Sequence, residues 1–439
     1  MRIAIVGAGI VGVTTAQALH EDGHEVTVYE RRSSVATEGS FANAGWLAPG
    51  YVTPWAAPGM VRKVLGQWHG RDAAVRLGGM PDVALTRWLW RFWRACDATT
   101  YPTRRGAMLA LARDSLARTR ALAESLRIEH ERSQGVLVLL REEAEVKQSR
   151  AGLKVLAELG VDFSLLGPEA CRRIEPALDS AVSLRAGIHL PGADVGNCRQ
   201  FALQVKAALQ QAGVDFKLLH QVHRIAAGAD GGVELQVNEL PSDADTTLDT
   251  TRPAGALVPF VEHFDAAVVC AALGAPLLLP ALRLPLQPVY GYSITLPVRH
   301  HEAHPDLGPR GGLMDERYKV AITRLGDRIR VAGSAELGGS ARHLAKAPVA
   351  TLYRVLQDWF PSATGHAAGQ TWKGARPMLP DGPPAIGASG TPGVWVNTGH
   401  GSSGWALACG SGRLLADLVA GRAPALDAQP FSPQRWSRR

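Results

Sequence analysis

Cysteine is scarce in this chain of 439 residues: five occur, Cys96, Cys171, Cys198, Cys270 and Cys409, odd in number and far apart. No C-x-x-C pair and no zinc spacing is found, which argues against a disulfide framework; the five read as reduced core thiols of a cytoplasmic protein. No apolar run approaches the roughly 20 residues that a membrane span needs. Charge is not massed either. The net charge of +7 is spread along the chain, which speaks against nucleic acid as a partner and suits anionic ligands or a loose hold on an acidic membrane surface. The histidines, including the loop pair His300 and His301, show no ligand spacing, so no metal is expected. No repeat or low-complexity tract stands out. What is present is a chain of 46% hydrophobic and 20% charged residues, long enough for two domains with cores of their own.

The first thirty residues carry the clearest signal. Ile3 to Val6 is an apolar run of the kind a buried parallel strand needs. Gly7, Gly9 and Gly12 follow at G-x-G-x-x-G spacing, a helical pattern runs through Val13, Ala16, Leu19 and His20 to Gly23, and a second strand from Glu25 to Tyr29 ends on Glu30. Each part has a task in dinucleotide binding. Gly7 permits the tight turn, Gly9 lets a pyrophosphate approach the backbone, and Gly12 lets helix and strand pack closely. Ile10 and Val11 open the helix, whose free N–H groups and positive dipole end face the phosphates. Glu30, with Arg31 beside it, is placed for the adenosine ribose. Read as a secretory leader, the stretch would need an unbroken apolar centre, which the glycines and Thr14-Thr15 interrupt. The fingerprint alone does not choose between NAD and FAD.

After Arg32 the text is polar and irregular to Gly59 and reads as a loop toward the reactive end of the cofactor, with Ser40, Asn43, Ala44 and Gly45 small enough to lie against a flat ring. Residues 84–97 read as a helix with Leu85, Trp88, Leu89, Phe92, Trp93 and Cys96 on one face and Arg87, Trp90, Arg91 and Arg94 on the other. Two readings stay open for it: a domain helix with aromatic core residues, or an interfacial helix touching anionic lipid. Helices are predicted over 104–126, 142–159, 200–212, 348–360 and 404–420, and strands over 135–140, 293–296, 319–323, 328–331 and 394–397. The apolar run 265–274 closes on Gly274 and reads as a second dinucleotide-domain strand, so the cofactor domain is re-entered there. The polar stretch 238–263 reads as an insertion or surface loop.

Five blocks carry a family likeness: SFANAGWLAPGYVTPWAAPG at 40–59, GYSITLP at 291–297, YKVAITR at 318–324, GARPMLPDGPPAIG at 374–387 and NTGHGSSGWALACGSG at 397–412. Through them the chain resembles, over almost its whole length, the bacterial FAD-dependent D-amino acid dehydrogenases within the D-amino acid oxidase and glycine oxidase group. The resemblance implies an α/β, two-domain (α+β) fold: a discontinuous Rossmann-like FAD-binding domain over 1–60, 185–283 and 371–425, a substrate domain on a mixed, mainly antiparallel sheet over 61–184 and 284–370, and a tail over 426–439. It implies FAD as cofactor, a small D-amino acid as substrate and a quinone or redox protein as electron acceptor. It places the protein in the cytoplasm, with peripheral contact on the inner face of the inner membrane as the added reading. Two positions depart from the family: Tyr290 stands where Lys is usual, and Leu379 where Thr is usual.

Within that likeness Arg376 is the expected carboxylate clamp, since a guanidinium holds a carboxylate bidentately at a fixed angle. Tyr292 is expected to add a hydroxyl to the same carboxylate, with Tyr51 and Tyr318 as weaker candidates. Gly399, Gly401, Ser402 and Gly404 are expected to pass close to the flavin, with His400 in the same turn and the following helix aimed at the ring. The rival readings are an oxygen-using oxidase of glycine, sarcosine or D-proline, and a flavin-binding partner protein without catalysis.

Overall fold

A computed structural model describes residues 1–62, 73–228, 231–241, 259–299, 307–365 and 369–436. The first strand, Arg2–Val6, sits inside a six-stranded sheet in the order Ala385–Ala388, Val394–Thr398, Ala266–Val269, Arg2–Val6, Glu25–Glu30 and Asp215–Leu218. Its pairs are parallel except for the last hairpin, Ala385–Ala388 on Val394–Thr398. Parallel strands are buried on both sides, and Ile3, Ala4, Ile5 and Val268 have no exposure. The helix Ile10–Glu21 follows the glycine turn. The re-entry expected at 265–274 is present as the strand Ala266–Val269 beside Arg2–Val6.

The helix Gly404–Val419 packs between two others, and glycine is what lets it in. A Cβ on Gly412 would stand 2.7 Å from Thr14 O in the helix Ile10–Glu21, and one on Gly410 would stand 2.8 Å from Leu111 O in the helix Tyr101–Ser125. The Thr14 hydroxyl donates to Ala408 O at 3.0 Å across the first of these contacts. Met108, Leu111, Ala112 and Leu116 thereby share one core with Ile3, Val13 and Leu415. The helix predicted over 104–126 thus serves the cofactor side, although the expected boundaries put it in the substrate domain.

The second large element is a ten-stranded sheet. Its main run is Gln370–Met378, Gln287–Pro297, Arg328–Leu337, Val320–Leu325, Gly312–Asp315, Ser133–Leu140, Ala186–Val195 and Trp46–Leu47, with Val75–Leu77 and Ser164–Leu166 paired at its sides. Two pairs are parallel, Gly312–Asp315 with Ser133–Leu140 and Arg328–Leu337 with Val75–Leu77, and the rest are antiparallel. Strands 186–195 and 370–378 were expected in the cofactor domain and belong here, because their hydrogen-bonding partners are in this sheet. Ile294, Leu296, Ile329 and Val331 face the helix Lys346–Trp359, through Leu352, Val355 and Trp359. The other, inner face is covered in part by the helix Glu143–Glu158, whose Val146, Leu153 and Leu156 share a core with Val138, Met314 and Ala321.

A three-stranded antiparallel sheet of His220–Ala227, Val233–Glu239 and Phe260–Phe264 completes the fold. The stretch read as an insertion over 238–263 therefore begins and ends in strand; 242–258 lies outside the described residues, as do His300 and His301. Among the described residues no helix is long and apolar enough to cross a membrane.

The close helix contact gives a direct test. Gly412→Val drives a side chain into backbone that cannot yield, and is expected to destabilise the protein by about 3 kcal/mol. Thermal unfolding reads this out; an unchanged melting temperature would remove the contact from the account.

Candidate active site

The site is built where the glycine turn, the loop after Glu30 and the inner face of the ten-stranded sheet meet. Gly7 has φ +103°, and a Cβ there would lie 2.8 Å from Cys270 O; one on Gly12 would lie 1.8 Å from Gly7 O. Both positions are closed to any side chain. Gly9 caps the helix in extended backbone, and a Cβ on it would meet only the Ser40 hydroxyl, at 3.6 Å. Ala8 N–H donates to Glu30 Oε2 at 2.7 Å and Ile10 N–H to Ser40 Oγ at 3.1 Å. The N–H groups of Gly9 and Val11 have no acceptor among the described residues. They are the donors a pyrophosphate would take.

Glu30 also accepts from Arg32 N–H at 3.0 Å. Burial raises its carboxyl above the usual range, and these two backbone bonds oppose the shift. Arg31 turns away to Glu38, an exposed pair. Burial works against the Glu38 charge, but Arg31 and Arg32 outweigh it and hold the carboxyl below its usual value. Gly274 has neither a left-handed φ nor a tight contact, a Cβ there meeting only Ala271 Cβ at 3.5 Å. Gly274, the end of the apolar run and an expected cofactor contact, is thus under no steric demand; the close approach to the glycine turn is made by Cys270, whose carbonyl abuts Gly7.

The loop after Glu30 forms a strap across the inner face of the ten-stranded sheet. The Thr323 hydroxyl donates to Ala44 O at 2.8 Å, Arg330 Nη1 reaches Asn43 O at 3.4 Å, and Trp46 Nε1 donates to Thr323 Oγ1 at 3.3 Å. Asn43 Oδ1 accepts from Gly45 N–H at 3.0 Å, and Gly45, at φ +77°, would place a Cβ 2.8 Å from Gly196 O. With the carbonyl of Asn43 turned to the sheet, the trans peptide turns the N–H of Ala44 away from it. Farther back along the strap, Phe41 lies between Trp372, 6.4 Å between ring centroids, and Arg199, whose guanidinium stands 4.6 Å from the ring centre.

Arg376 lies on the same inner face. It pairs in register with Val289, and Gly291 pairs with Gly374. A Cβ on Gly291 would lie 2.2 Å from an Arg376 guanidinium nitrogen, and one on Gly374 would fall 1.7 Å from the Trp372 ring. Two facing glycines thus clear the floor on which this guanidinium and this indole lie. Arg376 donates to Ser334 O at 2.9 Å, and no carboxylate pairs with it among the described residues. Burial pushes it down to about 10, with no acid offsetting the shift. A cation in that state is one waiting for an anion.

Tyr292 is not its partner. Neighbours along a strand point to opposite faces, so Tyr292 sits with Ile294 on the outer face. Its hydroxyl donates there to Glu336, which also holds Lys373 Nζ at 2.8 Å in a buried pair. Lys373 stands 4.6 Å from the centre of the Tyr290 ring, so a lysine on the next strand occupies the neighbourhood where the family has one at 290.

The turn before the last helix closes the site. Gly399 and Gly401 have φ +81° and +57° and press on Leu379 and Met378, where a Cβ would come within 2.5 Å; a Cβ on Gly404 would have room, meeting only His400 Cβ at 3.7 Å. The Ser402 hydroxyl accepts from Trp55 Nε1 at 3.1 Å. His400 is buried, its Nε2 is 3.0 Å from Ser411 Oγ, and burial pushes it down to about 3. Trp88 Nε1 donates to Met378 O at 3.1 Å and ties the helix Val83–Ala95 over this end of the sheet. Tyr51, pushed up to about 12 by burial, interacts with Lys319 and Glu316 on the hairpin that continues into Val320–Leu325, and Tyr318 lies under the Arg141 guanidinium at 5.1 Å.

Sequence reasoning missed Trp372, Arg330, Thr323 and Lys319. The signals were present: Arg330 between the buried Ile329 and Val331, and Thr323 beside the buried Ile322. Among the described residues no group of three His, Cys, Asp or Glu is placed to hold a metal.

A family profile described as DAO, FAD dependent oxidoreductase, matches residues 2–418. A D-amino acid dehydrogenase of Rhizorhabdus wittichii is 39% identical, with 99% of this chain and 100% of that one covered. One of Allorhizobium ampelinum is 38% identical, with 100% and 99% covered. Among solved structures, glycine oxidase from Geobacillus kaustophilus matches with a TM-score of 0.73 at 22% identity, covering 99% of each chain. L-proline dehydrogenase from P. horikoshii matches with 0.69 at 16%, covering 100% and 98%. At those identities the structural likeness is one of fold. The full-length relatives and the profile, which takes in both large sheets and the turn between them, make this chain a member of the FAD dependent oxidoreductase family.

Proposed function

We propose that the protein oxidatively deaminates small neutral D-amino acids to 2-oxo acids and ammonia, passing the electrons to a quinone or another acceptor than oxygen. The observation that carries this reading is Arg376, a cation without an acidic partner, held by Ser334 O over a floor of two glycines. The names of the full-length relatives supply the D-configuration and the dehydrogenase chemistry.

The glycine turn, Glu30 and Ser40 would hold the adenosine and pyrophosphate of FAD, and the strap 40–45 with the turn 399–404 would hold its ring. Bound there, FAD supplies the acceptor for a hydride. The chain's own residues do the rest. Arg376 fixes the substrate carboxylate in one plane, which leaves Cα a single approach to the ring. Water then hydrolyses the imino acid. Trp55, Trp88 and Trp372 wall the site, and a drier site strengthens the hold of Arg376 on its carboxylate. The start of the helix Gly404–Val419 offers N–H groups and a positive dipole end to charge that develops on the ring. No base is needed when the amine binds neutral, and His400 is assigned no proton transfer.

The helix Val83–Ala95 supports peripheral contact with an anionic membrane on the cytoplasmic side. The sequence placed Trp93 on its buried face; in the fold Leu85 and Trp88 are buried, while Trp90 and Trp93 are 53% and 60% exposed beside Arg87, Arg91 and Arg94. Exposed indoles and guanidinium groups on one helix fit the headgroup level of a bilayer.

Four outcomes test these readings. Anaerobic flavin bleaching is expected with D-amino acids and not with their L-forms; bleaching by glycine or sarcosine alone would move the protein to an amine oxidase. Arg376→Met is expected to keep FAD bound and to lose about a hundredfold or more in kcat/KM, whereas a turnover near wild type would take the clamp role from it. In His400→Asn the acidic limb of the kcat/KM profile is expected to stay in place, because a ring pushed down to about 3 does not titrate there; a displaced limb would put His400 in the proton path. Trp90→Ser with Trp93→Ser is expected to abolish co-sedimentation with anionic vesicles while activity on soluble dyes persists, and unchanged sedimentation would rule the helix out as the contact.

A further inference from the structure

A second guanidinium on the inner face of the ten-stranded sheet has no carboxylate paired with it among the described residues. Arg330 is 6% exposed. It pairs in register with Thr295 on one side and Thr323 on the other, so all three side chains share the face that carries the strap. Its Nε donates to Thr295 Oγ1 at 3.1 Å and its Nη1 reaches Asn43 O at 3.4 Å; both acceptors are neutral. The carboxylate that acts on it, Glu131, is already committed, to Arg328 at 2.7 Å and to Asn197 at 2.8 Å, and the neighbouring Cys198 thiol is kept neutral by burial, which pushes it up to about 12. Arg328 adds a like charge nearby. Burial pushes Arg330 down to about 10, which still leaves it charged at any working pH. An enclosed cation without an anion is costly to the fold. Valine or threonine would satisfy this strand position more cheaply, so the charge calls for an account outside folding.

The strap gives one. Arg330 stands directly beneath the Asn43 carbonyl, one peptide layer below residues 40–45. The hydride reaction creates a charge on the far side of that layer. A neutral amine that gives up a hydride from Cα leaves as an iminium; the ring that accepts two electrons and one hydrogen gains one negative charge and needs no further proton.

We propose that Arg330 is a fixed positive charge beneath the strap that favours the negatively charged, reduced flavin and so raises its reduction potential. Arg376 and Arg330 then divide one sheet face between them: the first awaits the anion that the substrate brings, the second the anion that the reaction makes. The effect crosses a backbone layer, so Arg330 is a positioning charge and not a catalytic residue.

The proposal rests on the reading of residues 40–45 as the flavin-lining strap, and its test separates the two. Arg330→Gln, Arg330→Met and Arg330→Lys are purified with FAD, and two quantities are measured: the two-electron midpoint potential, by equilibration with a reference dye, and the Kd of sulfite, whose addition to the flavin also leaves it negatively charged. Glutamine and methionine are expected to move the potential to more negative values and to weaken sulfite about tenfold; lysine is expected to restore most of both. Wild-type potential and sulfite affinity in the neutral variants would overturn the proposal. So would a lysine variant as far displaced as the neutral ones, since shape and not charge would then matter. Wild-type protein that cannot be loaded with FAD would sink the strap reading itself, before any variant is compared.

Discussion

The constraint on which the structure depends is that the ten-stranded sheet is covered on both faces. A sheet with a solvent face can put its polar side chains into water; this one cannot. Every polar group on it must find a partner within the fold or be reserved for something that binds. The outer face meets the first condition: Tyr292, Glu336 and Lys373 satisfy one another beneath the helix Lys346–Trp359. On the inner face, among the described residues, Arg376 and Arg330 are bonded to carbonyl and hydroxyl oxygens and to no carboxylate, as a face kept for a ligand would be. Strand alternation decides which residue falls on which side. It separates Tyr292 from Arg376 although their strands are hydrogen-bonded neighbours.

The glycines make sense in the same frame. Gly291 and Gly374 are not turn residues: they sit face to face in paired strands, where glycine usually weakens a sheet. Here their missing side chains leave the space that a guanidinium and an indole fill. Gly7 and Gly12 act differently, bringing a carbonyl and a helix closer than any Cβ allows.

The opening strand, glycine turn, helix and second strand were legible because these parts are contiguous and each has a local reason: apolar run, glycine spacing, helical period. The long helices were legible for the same kind of reason, and their ends fell within a few residues of expectation. Trp93 was misplaced because the helix is buried along a narrower stripe than its apolar face suggests. The division of the chain between sheets was not legible. Ala186–Val195 and Gln370–Met378 read as strands of either domain, and only their hydrogen-bonding partners, far away in sequence, decide the matter. The two faces of a strand are likewise equivalent on paper when both are buried. Tyr292 could be named as a candidate, but its direction could not be read. Arg330 fell in the strand predicted over 328–331, where a two-residue period marks it as facing opposite to Val331 without saying what lies on that side.

The central strand Arg2–Val6 takes one neighbour from residue 25 onward and the other from residue 266 onward, and that second neighbour is itself flanked by Val394–Thr398. The helix that seals the sheet's back begins only at Gly404. In chain order the strand Arg2–Val6 therefore precedes by far the segments that complete its sheet. For most of synthesis the strand Arg2–Val6 is half paired, with an apolar edge exposed and nothing yet able to hold FAD. Such long-range pairing is slow and open to misassembly. The opening motif is therefore assembled by segments far later in the chain, and its local sequence is not enough to build the sheet around it.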